Sequence, residues 1–306
     1  MKVVIFGSTG LVGSSLIRNL NNFQKVSKIV ASTREDTNLF SLESTKKLID
    51  KERPDIVINA AARVGGILAN NSYRTDFILE NLKINMNILE SVIGYPELKL
   101  INLGSSCIYP LGAENPISEN SLMTGKLEPT NSPYAMAKLT AIELGDALRL
   151  QYGHEVLNIM PTNLYGPNDN FSEVDSHVIP GLIRRLVNAH DENEKIFQVW
   201  GTGKPLREFL HVDDLANAIG FFIQNGIFEG LFNVGSGEEI SINDLVNKIK
   251  DIVGFNGIVS FDDTKPDGNP RKLLNSEKIR DLGWKPEIDL DRGLKETYDW
   301  FISNRS

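Results

Sequence analysis

Cysteine is nearly absent: Cys107 is the only one in 306 residues, so no internal disulfide framework is possible. Histidine is scarce too, and positions 154, 177, 190 and 211 are too scattered for metal-ligand spacing. No metal site is expected. Positive charge is in deficit, with 32 Lys and Arg against 40 Asp and Glu and a net charge of −8. That argues against general nucleic-acid affinity, yet it permits local basic pockets for anionic ligands. No apolar run reaches transmembrane length, and Met1-Lys2 leads straight into Val3-Val4-Ile5-Phe6 with no room for a signal peptide. A soluble, cytoplasmic protein with no membrane partner is therefore expected. Repeats and low-complexity tracts are missing as well. With 41% hydrophobic residues, the chain can bury one large α/β core, or a main domain plus a smaller lobe.

Lys2 to Phe6 reads as a buried parallel strand, followed by Gly7-Ser8-Thr9-Gly10-Leu11-Val12-Gly13 and a helical pattern to about Leu20. Glycines at 7, 10 and 13 let the backbone turn tightly and approach a pyrophosphate, which the following helix N-terminus favours. The spacing is G-x-x-G-x-x-G rather than the commoner G-x-G-x-x-G, and a glycine turn without a ligand is the bland alternative. A second strand, Lys28 to Ala31, ends in Ser32-Thr33-Arg34. A dinucleotide site places a carboxylate here for a ribose 2′-hydroxyl or an arginine for a 2′-phosphate, so Arg34 points to NADP. Glu35 and Asp36 follow at once, and either could turn inwards. Asp55 to Ala62 is the next strand, Val64-Gly65-Gly66-Ile67 begins a loop, and Thr75 to Val92 is expected to be helical.

Lys99 to Gly104 is another buried strand, ending in Ser105-Ser106-Cys107-Ile108-Tyr109-Pro110. Carboxyl ends of strands line the ligand crevice of a doubly wound sheet, so Ser105 is placed to hydrogen-bond a substrate carbonyl. Cys107 reads equally as a reactive thiol or a small buried hydrophobe. Ser132-Pro133-Tyr134-Ala135-Met136-Ala137-Lys138 starts a helix, with Ser132 as its N-cap. Tyr134 and Lys138 then share one face, and an ammonium beside the phenol would lower its pKa towards neutrality. An amphipathic helix with an exposed lysine is the rival reading. Further on, residues 156 to 160 form a strand that opens into Pro161-Thr162-Asn163-Leu164-Tyr165-Gly166-Pro167, and 168 to 177 is a polar loop. Ile179 to Val187 is helical and carries Arg184 and Arg185. Arg185 and Arg207 are candidate clamps for a diphosphate or ordinary surface ion-pair residues. His211 with Asp213 and Asp214 reads as a helix start, 262 to 271 as a loop, and Leu294 to Ile302 as a final helix.

The glycine turn, Asn59-Ala60-Ala61-Ala62, Ser105 and Tyr134-x3-Lys138, in this order, resemble the extended short-chain dehydrogenase/reductases. A narrower likeness runs nearly end to end. Val64 to Ile67, Gly104 to Pro110, Leu127-Glu128-Pro129-Thr130-Asn131, Pro161 to Pro167, Ser176 to Pro180, Arg207 to Asp214 and Lys265-Pro266-Asp267-Gly268 are similar to the GDP-L-fucose synthases.

That resemblance implies an α/β fold, a Rossmann-type doubly wound parallel sheet with a smaller α/β substrate-binding lobe. Residues 1–164 plus about 208–236 would bind NADP, and about 165–207 plus 237–306 would bind a GDP-sugar. It implies a bifunctional enzyme that epimerises GDP-4-keto-6-deoxy-D-mannose at C3 and C5, then reduces C4 with NADPH to give GDP-L-fucose. Ser105, Cys107, Tyr134, Lys138 and His177 would be catalytic, with Cys107 and His177 as the epimerising acid/base pair. Cofactor contacts would come from residues 7–13, Arg34, Asn38, Leu39, Ala61, Leu103, Gly104, Tyr134, Lys138, Pro161, Asn163, Leu164 and His177. Arg185, Trp200, Arg207, Asp267 and Lys272 would hold the GDP-sugar. Ser8-Thr9 stands where some relatives carry a basic residue for the 2′-phosphate, leaving that task to Arg34. A homodimer is implied through helices near Thr75–Val92 and Pro133–Tyr152, with Ile84, Ile88, Leu139 and Ile142 serving either that seam or the core. The alternatives are a colitose- or heptose-type GDP-sugar epimerase/reductase, a nucleotide-sugar 4-epimerase, or a catalytically silent NADP-binding regulator.

Overall fold

Strand, turn and helix alternate from the first residue. The computed structural model describes residues 1–305 apart from Val174 and Pro266; Pro266, within the Lys265–Gly268 motif, thus lies outside the described residues. The first half runs β1 (Lys2–Phe6), α1 (Leu11–Asn19), β2 (Lys28–Ser32), α2 (Leu42–Glu52), β3 (Ile56–Asn59), α3 (Ile67–Ser72), α4 (Arg74–Ser91), β4 (Lys99–Leu103) and α5 (Ser132–Tyr152). It continues with β5 (Val156–Pro161), β6 (Asn163–Tyr165), α6 (Val178–Asp191), β7 (Ile196–Trp200), β8 (Leu206–His211), α7 (Val212–Asn225) and β9 (Gly230–Val234). The last stretch holds β10 (Glu239–Ser241), α8 (Ile242–Val253), β11 (Ile258–Asp262), β12 (Arg271–Lys272), α9 (Glu277–Arg280) and α10 (Leu290–Asn304).

Among the described residues, β2-β1-β3-β4-β5-β9 form a six-stranded sheet that is parallel throughout. The strands are apolar runs because helices cover both faces. Alternation sorts their side chains: Val3, Ile5, Ile56 and Ile58 pack with Leu16, Leu215, Ile219 and Phe222 from α1 and α7. Val4, Phe6, Val57 and Leu100 pack with Ile49, Ile88, Leu89 and Ala141 from α2, α4 and α5 on the other face. This is the Rossmann-type doubly wound arrangement expected.

Polar residues inside the sheet are satisfied as a set. Asn59, Asn102 and Asn158 are neighbours in register, and Asn102 Nδ2 donates to Asn158 Oδ1 at 3.1 Å. Asn59 Nδ2 donates to Asn85 Oδ1 at 2.9 Å, and Asn85 Nδ2 to Ala137 O at 3.1 Å, which ties the strand ends to α4 and α5. A buried amide left alone would be costly, so these pairs help fix the strand register.

A second apolar cluster joins α6, α8 and α10 to β7, through Leu182, Leu186, Phe197, Val199, Leu245, Ile249 and Leu294. Beside it, β8 is a junction: its first half pairs with β10 and β12, its second half with β6. Two local expectations change. Ser132 is the first residue of α5 and not its cap, because Asn131 occupies that position and its side chain points elsewhere. Ile84, Ile88, Leu139 and Ile142 are all buried within the chain itself, so none of them is exposed on an outer helix face.

Candidate active site

The turn between β1 and α1 forms a close cradle. Gly7 has φ of +77°, and a Cβ there would meet Ala61 backbone atoms at 2.7 Å; one on Gly13 would meet Gly7 O at 2.1 Å. Gly10 caps α1 without a side-chain hydrogen bond, so the amides of the first turn are open to an anion. Ser8 is buried with an unpartnered Oγ. A turn that admits no side chain at Gly7 or Gly13, with the orphan Ser8 hydroxyl beside a helix N-terminus, fits the pyrophosphate of a dinucleotide. Leu11 and Val12 are half-buried at the start of α1. Beyond β2, Arg34 and Asn38 are exposed, and Leu39 is half-buried. Asp36 is turned into its own loop, accepting from Thr33 N at 2.9 Å and Thr33 Oγ1 at 2.7 Å. These bonds hold its carboxyl below the usual range, while the side chains of Arg34 and Glu35 stay exposed beside it.

Ser105, Cys107, Tyr134 and Lys138 gather past the end of β4. Ser105 Oγ accepts from Cys107 N at 3.2 Å, which turns the chain into a short 3-10 helix. Lys138 is 3% exposed and donates to Leu103 O at 2.7 Å, with its ammonium 5.7 Å from the centre of the Tyr134 ring. Burial pulls its pKa from 10.5 to about 8. The expected lowering of Tyr134 is not found. Removal of water, and then the neighbouring Cys107, push the phenol well above 10, and a hydrogen bond with Ser105 offsets only part of this. The reason is geometric: the ammonium sits over the ring and bonds a carbonyl, so it does not bond the phenol oxygen. Tyr134 is held here as an acid.

Two side chains converge on Cys107 Sγ. Asn131 Nδ2 lies 3.5 Å away, and Lys272 Nζ 3.8 Å. Asn131 is aimed by Glu128, whose carboxylate accepts from Asn131 N and Thr130 N at 3.1 Å each. Lys272, expected among the sugar-nucleotide contacts, thus stands at the thiol.

His177 stands at the N-cap of α6, in the other half of the chain. Its segment rests on the turn before α3, where Gly66 N donates to Asp175 O at 3.3 Å. A Cβ on Gly66 would meet Ser176 O at 2.8 Å, which explains a glycine there. Asp169 lies behind the imidazole, with Oδ1 3.9 Å from Nδ1.

The remaining expected contacts divide. Ala61, Leu103 and Gly104 line the strand ends, while Pro161 ends β5. Asn163 spends its side chain on structure, donating to Glu208 O at 2.8 Å, and Leu164 packs against the sheet core. Register places Arg207 opposite Lys272. Asp267 accepts from Thr202 N at 2.6 Å and Thr202 Oγ1 at 2.7 Å, and these bonds above all, with a smaller contribution from the Arg207 charge, hold its carboxyl low. Arg185 is exposed on α6 with its guanidinium 5.2 Å from the Phe197 ring centre. Trp200 is 62% exposed at the end of β7.

Asn131 and Asp169 were not singled out from the sequence as site residues. Glu128-x-Thr130-Asn131 before a proline-started helix was the available signal for the first, as a side-chain-bonded turn. Asp169 in a polar loop carried none.

Residues 3–235 match the NAD dependent epimerase/dehydratase family. The chain is 47% identical to GDP-L-fucose synthase 1 of Arabidopsis thaliana over 99% of its own length and 94% of that protein. It is 44% identical to GDP-L-fucose synthase of Escherichia coli K12, covering 99% and 97%. The structure of a GDP-L-fucose synthetase from Naegleria fowleri bound to NADP superposes with a TM-score of 0.89 at 31% identity, covering 99% and 93%. Glycine cradle, Tyr134–Lys138 pair and full-length likeness agree, and the chain belongs to the NAD dependent epimerase/dehydratase family, among the GDP-L-fucose synthases.

Proposed function

We propose that this protein converts GDP-4-keto-6-deoxy-D-mannose to GDP-L-fucose, epimerising C3 and C5 and then reducing C4. The observation that carries the reading is the meeting of Cys107, its two donors and the Ser105–Tyr134 pair at one strand end. Each supplies something the substrate's chemistry needs. A C4 ketone acidifies the protons on C3 and C5, since the resulting carbanion delocalises onto oxygen. Ser105 and Tyr134 hydrogen-bond that oxygen as charge develops. Cys107 takes each proton, and His177 returns one from the opposite face.

Bound NADPH supplies the hydride for C4. Residues 7–13, Ala61, Leu103, Gly104 and Lys138 would hold it, with Arg34 at the 2′-phosphate and Asn38 and Leu39 beside the adenosine end. Tyr134, kept protonated by its surroundings, gives its proton to the alkoxide oxygen. Arg185 and Arg207 clamp the diphosphate, Trp200 offers a flat surface to the GDP moiety, and Asp267 shapes the loop next to Arg207. NADP-binding residues 1–164 plus about 208–236, and a sugar-nucleotide lobe of 165–207 plus 237–306, match this division of labour. A homodimer through the outer faces of α4 and α5 is part of the reading, supported by exposed Leu79, Met86 and Met136. No described helix is long and apolar enough to cross a membrane.

The test is NADPH consumption with this substrate in D2O, with the product identified by NMR. GDP-L-fucose carrying deuterium at C3 and C5 supports the reading. A 4-reduced sugar without epimerisation removes the roles of Cys107 and His177. Turnover only of a colitose- or heptose-type keto sugar overturns the substrate.

A further inference from the structure

His177 and Asp169 each bury a polar atom that has no partner. His177 Nδ1 is one, and Asp169 Oδ2 is the other. The imidazole as a whole is 42% exposed, so its open edge carries Nε2, while the Asp169 side chain is 3% exposed. Asp169 Oδ1 already accepts from Asn170 N at 2.7 Å and lies 3.9 Å from His177 Nδ1. Buried polar atoms are almost always hydrogen-bonded, and an unmet one is destabilising. Here the two side chains that carry these orphans are neighbours, and an approach of about 1 Å would bring Nδ1 within bonding distance of Oδ1. Such a bond is often long in a free enzyme and tightens around substrate.

Both groups are anchored on their far sides. Asp169 N donates to Gly166 O at 3.3 Å in the turn that follows β6. Two residues on, Phe171 stacks on Phe301 and Trp300 of α10, with ring centres 4.5 and 5.9 Å apart. His177 is set by the start of α6 and by the Gly66 contact. The carboxylate has no other described cation beside it, so the imidazole is the group it can serve.

We propose that Asp169 is a positioning residue for His177: its carboxylate accepts a hydrogen bond from the imidazole Nδ1–H, fixing the tautomer and turning Nε2 towards the sugar. This rests on the reading of His177 as the proton donor in epimerisation. A neutral imidazole has two tautomers, and a partner at one nitrogen decides which edge reacts. Without Asp169, the ring turns freely and presents the wrong nitrogen part of the time.

The experiment compares wild type with Asp169→Ala and Asp169→Asn in the full chain loaded with NADP. Long-range ¹H–¹⁵N NMR, with His177 assigned by its loss in His177→Gln, reads the tautomer directly and without turnover. Wild type is expected to show Nδ1–H at His177, and Asp169→Ala to show the Nε2–H form. Deuterium wash-in at C3 and C5 should fall about tenfold or more in both variants, with NADPH affinity unchanged. The isosteric Asp169→Asn keeps the test valid if the alanine variant does not fold. The same His177 tautomer in wild type and variants overturns the pairing. If wild type makes no GDP-L-fucose, the functional reading fails, while the tautomer still decides the Asp169 assignment.

Discussion

The ammonium of Lys272 stands 3.8 Å from the sulfur of Cys107, a residue 165 positions earlier in the chain. It gets there because β12 runs parallel to β8 with Lys272 opposite Arg207. Asn131 meets the same sulfur at 3.5 Å.

A donor stabilises sulfur most when that atom carries negative charge. Lys272→Met and Asn131→Ala should therefore each slow alkylation of Cys107 by iodoacetamide. The expected effect is about 0.5–1.5 kcal/mol, or roughly two- to tenfold. Intact-mass measurement gives the rate cleanly, because this is the only thiol in the chain. Wild-type rates in both variants would show that neither donor matters to the sulfur.

Cofactor preference should depend on Arg34. Asp36 is bound to Thr33 and so does not compete for a ribose hydroxyl. Replacing Arg34 by Ala should weaken NADPH binding about tenfold and leave NADH binding nearly unchanged. Titration calorimetry with both nucleotides measures this. An equal loss for the two would place the 2′-phosphate elsewhere.

Lys138 predicts a pH effect on stability. Its pKa falls from 10.5 to about 8 on burial, so between those values the unfolded chain holds a proton that the folded chain has released. Stability should then rise with pH through that window, by about 3 kcal/mol if taken alone. Tyr134, raised by its surroundings, stays protonated in the fold and works in the opposite direction above pH 10. The difference between wild type and Lys138→Met isolates the lysine. Denaturant unfolding from pH 7 to 10 should show the rise in wild type only. Parallel curves would refute the assignment.

Gly66→Ala tests the contact that seats His177. The new Cβ would lie 2.8 Å from Ser176 O, and backbone must move to relieve it. A loss of about 1–3 kcal/mol is expected in denaturant unfolding. Deuterium wash-in at C3 and C5 should drop while NADPH affinity is kept. Unchanged stability and exchange would mean that the two loops are not held together.

Local pattern made much of this protein legible. Apolar runs bounded by turn residues marked β1, β3, β4 and β5, since a parallel strand covered on both faces must be apolar on both. Gly7, Gly10 and Gly13 announced the cradle because their spacing is set by one turn and one helix start. Tyr134 and Lys138 were paired by helical periodicity alone. His211 capping α7 was likewise readable from its two following aspartates, and its ring does accept from Asp213 N. The end-to-end resemblance supplied Cys107, His177 and Lys272 as site residues, without saying how they meet.

By itself, then, the sequence determined the strand–helix order, the glycine cradle and the Tyr134–Lys138 pairing, because each is written in neighbours a few residues apart. Tertiary structure alone decided that Lys272 and Asn131 share the sulfur of Cys107 and that Asp169 stands behind His177. It also reversed the expected shift of Tyr134. Those outcomes depend on burial and on distances between segments far apart in the chain, and no local period encodes either. A phenol's acidity follows from the water it loses and from where a neighbouring ammonium points, and packing sets both.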